Sequence, residues 1–239
     1  MDIQSRRIRD CLIVGLMVGG LFGSLVGTSA ASAQDAVDSC PDGRIQLLSA
    51  VSDRDKSLIC VAALQSLQFL QRLNLPFDGT IRIEVVEQPM AYLGHALYGS
   101  YDARQDLIRV MSSAAISAQQ PDALIYHQPF ESGLYRSVVA HEVAHAVVKR
   151  HAPELNRTAQ EYLAHATQLA VLPQVLRQRI IQQADVQPWQ RDDVISDIYM
   201  AMALTKFAVK CYLHLSRHPQ PTILVQQLLS SKWRYIVVM

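Results

Sequence analysis

Val138-Val139-Ala140-His141-Glu142-Val143-Ala144-His145-Ala146-Val147 decides how the rest of the chain is read. The stretch is apolar apart from two histidines and a glutamate, and it holds no Gly or Pro to interrupt a helix. On a helix, His141 and His145 stand one turn apart on one face, so both imidazoles can reach one metal ion. Glu142 is rotated by one residue. It can reach a water on that ion without ligating the ion itself. A plain core helix accounts poorly for this composition, because three buried polar side chains without partners cost about 1–3 kcal/mol each. A bound metal removes that cost.

The flanks extend the pattern. Val138, Val139, Val143, Ala144, Ala146 and Val147 are uncharged, and Val147 follows the second histidine by two places. H-E-x-x-H in this setting resembles the zincin metallopeptidases. The likeness covers the motif helix and, more loosely, residues 81–172. It implies Zn²⁺ as cofactor, a small sheet ahead of the motif helix, and an edge strand along the active-site cleft. It also implies two histidine ligands, a glutamate general base, and a metal-activated water that attacks a peptide bond.

A catalytic zinc takes three protein ligands and keeps one position open. Three residues compete for the third place. His151 sits where metzincins carry their third histidine, but their turn-forming glycine is replaced by Val148. If the helix continues, His151 points away from His145. Glu154 follows Pro153 in a connection, with no helix to aim it. Glu161 lies in the next helix, which a short connection makes a neighbour of the first. The glutamate of a following helix completes the site in gluzincins, and the resemblance therefore favours Glu161. Thr158 with Glu161 also fits a helix capping box, where Glu161 would serve a backbone N–H. His165, one turn after Glu161, is a candidate second-shell partner, transition-state donor or alternative ligand. It also reads as a hydrogen-bonded histidine at a helix interface. Tyr162, Tyr199, Tyr212 and His214 are further donors that the sequence does not rank.

Half of the 239 residues are hydrophobic and 18% are charged, which suits one domain with a full core. Arg6, Arg7 and Arg9 precede a 16-residue apolar run, Cys11 to Val26, too short for a typical membrane span. Ala31-Ser32-Ala33 supplies small residues for cleavage, so residues 1–33 read as a signal peptide cut between Ala33 and Gln34. The expected address is the periplasm or the exterior. Removal takes three Arg and two Asp from totals of 22 basic and 21 acidic side chains, leaving 19 of each. With no basic stripe, neither nucleic acid nor an anionic membrane is an expected partner. Cys40, Cys60 and Cys211 remain, and an odd count in an exported chain suggests one bridge and one free thiol. Cys40 and Cys60 are the nearest pair.

Residues 34–51 read as an irregular lead-in. A helix starts at Ser52 and ends near Leu73, and Ile81–Val86 alternates as a strand. Residues 96–101 and 107–111 form an expected β-hairpin, and 120–131 a loop. Helices follow at about 132–149, 156 or 158–172, 174–183, 190–216 and 222–233. The fold class is α+β: a small sheet, the motif helix and a mostly helical C-terminal part, with residues 34–239 as one zincin-like domain carrying a helical extension. The expected function is an exported zinc metallopeptidase acting on a peptide or protein substrate. Two other readings stand beside it: an inert zincin-like binding or scaffold protein of the envelope, and a zinc amidase cleaving non-peptide bonds.

Overall fold

Period-two alternation of Ile and Val builds the sheet, and long apolar stripes build the helices around it. The computed structural model describes residues 38–92, 95–119, 124–190 and 195–230. The expected signal peptide lies outside these residues. In chain order the elements begin with β1 (Asp38–Ser39), β2 (Ile45–Leu47), α1 (Asp53–Arg72), β3 (Ile81–Val86), β4 (Met90–Tyr92) and β5 (His95–Leu97). Next come β6 (Gly99–Asp102), β7 (Leu107–Met111), α2 (Ser113–Gln119), β8 (Leu124–Ile125) and β9 (Gln128–Pro129). The helical part is α3 (Ser132–His151), α4 (Arg157–Ala170), α5 (Gln174–Ala184), α6 (Asp197–Met202), α7 (Leu204–Arg217) and α8 (Pro221–Leu229). The α+β class is as expected.

The main sheet has the order β1-β2-β3-β7-β6. β2, β3 and β7 run parallel, and the outer strands β1 and β6 are antiparallel to their neighbours. β6 and β7 form the expected hairpin, with Gly99 opposite Val110 and Asp102 opposite Leu107. Its turn is fixed by Asp102 Oδ1, which accepts from the backbone N–H of Arg104 and Gln105. The extended run begun at Ala96 breaks at Tyr98, so its first residues pair in β5 and the rest in β6.

α3 is buried around nearly its whole circumference from Gly133 to Val148, as expected of a helix at the centre of a fold. It packs on α1 and α4, and α4 packs in turn on α7. Its last turn is basic, with Lys149, Arg150 and His151 opposing the negative end of the helix dipole.

Three expectations need correction. The lead-in is not irregular throughout, because β1 and β2 lie in it, and β2 pairs parallel to β3 across α1. Strands of two and three residues are too short for an alternation to register. The loop at 120–131 contains the β8–β9 hairpin. The single helix at 190–216 is two: Ala203 leaves helical geometry at φ −149°, ψ 58° and separates α6 from α7. Residues 191–194 of that span, and 231–233 of the expected last helix, lie outside the described residues.

Cys40 and Cys60 form a disulfide that ties the lead-in to α1, and Cys211 is a free, buried thiol. The bridge closes a loop of 20 residues. Replacing both cysteines by serine is expected to lower stability by about 3 kcal/mol, read from the midpoint of urea unfolding.

Candidate metal centre

Two helices and one hairpin supply the polar side chains at the centre of the fold. α3 brings His141, Glu142 and His145, and α4 brings Glu161, His165 and Gln168. The α4 start is set by Asn156, whose side chain accepts from the Ala159 N–H. Asn156, not Thr158, is the cap, and neither Glu161 oxygen has a hydrogen-bond partner. The capping box is therefore not made, and the Glu161 carboxylate faces inward.

One oxygen of that carboxylate is a hub. Glu161 Oε2 lies 3.3 Å from His141 Nε2, 3.7 Å from His145 Nε2 and 3.8 Å from His165 Nε2. His141 Nε2 and His145 Nε2 are 3.1 Å apart. Donors at the usual bond lengths around one tetrahedral ion stand about 3.3 Å from each other, so these separations fit a shared cation. His141, Glu161 and His165 form a buried group whose ligand atoms all lie within 4.8 Å of one another. His145 Nε2 lies within the same reach of His141 and Glu161. All are at most 5% exposed. Two imidazoles one turn apart on α3 thus meet the glutamate of the next helix, the three residues that the motif and the gluzincin likeness select.

The rivals lie elsewhere. His151 Nε2 is 2.7 Å from the Pro76 carbonyl on the surface, and Glu154 is exposed. Tyr162 pairs with His214, Tyr199 stacks edge-on against Trp189, and Tyr212 lies under Arg177. The tyrosine at the centre is Tyr126, in the stretch read as a loop.

A directed chain of hydrogen bonds stands behind the imidazoles. Ser137 donates to the Leu134 carbonyl (2.8 Å) and accepts from Gln168 Nε2 (3.4 Å). That orients the Gln168 amide with Oε1 toward the site. Oε1 then accepts from the Tyr126 hydroxyl (2.5 Å) and from His141 Nδ1 (3.0 Å). Having given its proton to Gln168, Tyr126 can only accept from His165 Nδ1, 2.9 Å away. The His141 and His165 imidazoles therefore carry their proton on Nδ1 and present the Nε2 lone pair to Glu161, as an acceptor behind the ring does for a ligating histidine. Sequence reasoning missed Gln168, Tyr126 and Ser137. The spacing of Gln168, three residues past His165 and seven past Glu161, was the available signal.

Tyr126 is delivered by a costly turn. β8 and β9 pair Ile125 with Gln128, leaving a two-residue loop in which Tyr126 and His127 sit at φ 53° and 59°. Hairpin loops of this length favour two positive φ values, but Asn and Gly normally fill them. Non-glycine residues there store about 1–3 kcal/mol each.

Glu142 occupies a separate niche. It is fully buried, its two oxygens have no partner, and burial holds its carboxyl well above the usual range, with the Glu161 charge adding to the effect. It packs under Gly99 of β6. A Cβ on Gly99 would lie 2.9 Å from Glu142 Cγ, Glu142 Oε1 and Val138 Cγ1. Gly99→Ala is expected to cost about 1–3 kcal/mol by overpacking, measured by urea unfolding of the metal-free chain.

Burial pushes His141, His145 and His165 down to about 3 in the metal-free protein. Unfolded, each takes up a proton near 6.5, so the unfolded chain binds more protons throughout that window. Stability is therefore lost as pH falls below 6.5, by about 1.4 kcal/mol per pH unit for each histidine. Glu142 acts in the opposite sense above 4.5 and offsets one of the three. The metal-free chain is expected to unfold on mild acidification between pH 6.5 and 4.5, followed by far-UV circular dichroism, whereas the wild type loaded with metal holds to lower pH.

A family model matches residues 46–238, so the chain belongs to a family of unknown function, DUF6639. No curated protein and no solved structure matches it.

Proposed function

We propose that this member of the DUF6639 family is an exported zinc metallopeptidase of gluzincin-like type, with His141, His145 and Glu161 as ligands and Glu142 as general base. The observation that carries the reading is a buried carboxylate with no hydrogen-bond partner, Glu161, faced by the Nε2 lone pairs of His141 and His165, with a second unpartnered carboxylate, Glu142, in the same core. Zinc in that position supplies Lewis acidity toward a scissile carbonyl and lowers the pKa of an attacking water.

The remaining steps belong to the chain's own residues. Glu142 takes the water proton and returns it to the leaving amine, and its apolar niche raises its basicity for the first transfer. Among the described residues β6 is the last strand of the main sheet, the place where an extended peptide would add by strand pairing, and its Gly99 lies against Glu142. A peptide added there runs next to the base. Export agrees with the apolar N-terminal segment and with the Cys40–Cys60 bridge, which persists in oxidising compartments. Among the described residues no helix is long and apolar enough to cross a membrane.

One observation favours a second reading. His165 adds a third nitrogen, and so a fourth donor, to the same hub, and a metal enclosed by four side chains is the mark of a structural site. In that case the protein is an inert scaffold of the envelope. Two measurements on residues 34–239 separate the readings. Metal analysis is expected to give one zinc per chain, lost in Glu161→Ala and kept in His151→Ala. Glu142→Gln is expected to keep its zinc and to lose hydrolysis of a peptide library by at least about 100-fold. A zinc-loaded wild type that cuts no peptide and no amide would establish the scaffold reading.

A further inference from the structure

Resting on the metal site common to both readings, we propose that His165 is itself a metal ligand through Nε2, rather than a proton donor to the reaction, and four side chains on one ion belong to the second of those readings. We propose also that Gln168 is the positioning residue that commits it to that role. The metal shell then comprises three imidazoles and one carboxylate: His141, His145, His165 and Glu161.

The hydrogen-bond chain behind the imidazoles has a fixed direction. The Ser137 hydroxyl spends its proton on the Leu134 carbonyl, so Gln168 Nε2 must point at Ser137 and Oε1 at the site. The Tyr126 hydroxyl spends its proton on Oε1 and accepts from His165 Nδ1. Gln168 Oε1 lies a further 3.1 Å from the same Nδ1. With its proton held on Nδ1 by two acceptors, a neutral His165 has only a lone pair at Nε2. That atom is buried, has no hydrogen-bond partner, and faces Glu161 Oε2 at 3.8 Å. A lone pair and a carboxylate facing each other in the buried core repel, and a cation between them turns the repulsion into attraction.

His165 is also not free to turn away. Its ring packs against His141 at 4.6 Å, Phe207 of α7 at 5.9 Å and Tyr126 at 6.2 Å between centroids. Nor does the Gln168 side chain act on His165 alone. Its one oxygen serves His141 Nδ1 as well, so a single amide sets the tautomer of a ligand on each of two helices. Three imidazoles and one carboxylate are borderline-soft donors, suited to Zn²⁺ and to Co²⁺ as its optical substitute.

The test uses residues 34–239 loaded with Co²⁺. X-ray absorption at the cobalt edge of the wild type is expected to count three imidazoles, and the visible spectrum to change in His165→Ala. Chelator competition is expected to show His165→Ala weakened by more than 100-fold and Gln168→Leu by about 10–100-fold. Gln168→Glu keeps an acceptor at the same place and is expected to stay within a few-fold of the wild type. Circular dichroism confirms that each variant is folded. Two imidazoles in the wild type, or an unchanged spectrum and affinity in folded His165→Ala, would overturn the ligand role and leave the metallopeptidase reading intact. Wild-type affinity in Gln168→Leu would overturn the positioning role. A wild type that binds no metal, or a metal site indifferent to His141→Ala, would sink the proposed function and this inference together.

Discussion

Everything at the centre of this protein depends on a carboxylate that has no hydrogen bond. Glu161 is buried with both oxygens unpaired, and the His141 and His165 rings that face it have their protons engaged on the far side, at Nδ1. In an apolar interior such a cluster is repulsive unless something positive joins it. The surrounding architecture reads as a device for holding that repulsion in place. α3 is enclosed on nearly every side, α4 is capped so that its glutamate points inward, and Gln168 ties the backs of two imidazoles to one oxygen.

The sheet contributes by what it leaves out. β6 crosses the motif helix at Gly99, and the missing Cβ is the space in which Glu142 sits. A side chain at that position would fill the niche. Glu142, the edge strand and the histidine–glutamate cluster are thus linked through one absent methyl group, with Val138 as the third wall. The hairpin that carries Tyr126 contributes in the opposite way, by accepting backbone strain so that one phenol reaches the donor chain.

The sequence made some of this legible and hid the rest for physical reasons. His141, His145 and Glu142 lie on one helix, so their geometry follows from helical periodicity alone. Glu161 was reachable because the connection from Ala152 to Asn156 is short, which forces the next helix to be a neighbour. Gln168 was not legible, since a glutamine on a helix is far more often a surface residue, and its role exists only relative to His141 on the other helix. Tyr126 was hidden because its turn uses neither Asn nor Gly. A loop that violates turn preferences looks like no turn at all. In the fold, periodicity located α1, α3, α4 and the β6–β7 hairpin. It missed β1 and β2, which are too short to show a period, and it ran α6 and α7 together because the break at Ala203 carries neither Gly nor Pro.

The donor set also has a bearing on the order in which the molecule comes together. His141, His145, Glu161 and His165 all lie on two consecutive helices joined by a few residues, whereas β2 meets β3 only across the whole of α1. Contacts between chain neighbours close small loops and form sooner than parallel strand pairings that must first close large ones. The α3–α4 pair and the β6–β7 hairpin are therefore expected early in folding, and the docking of that hairpin over Glu142, which closes a longer loop, later. A cation taken up at the helix pair would find its seat ready before the wall above it is finished, while the centre is still open to the solvent that delivers it.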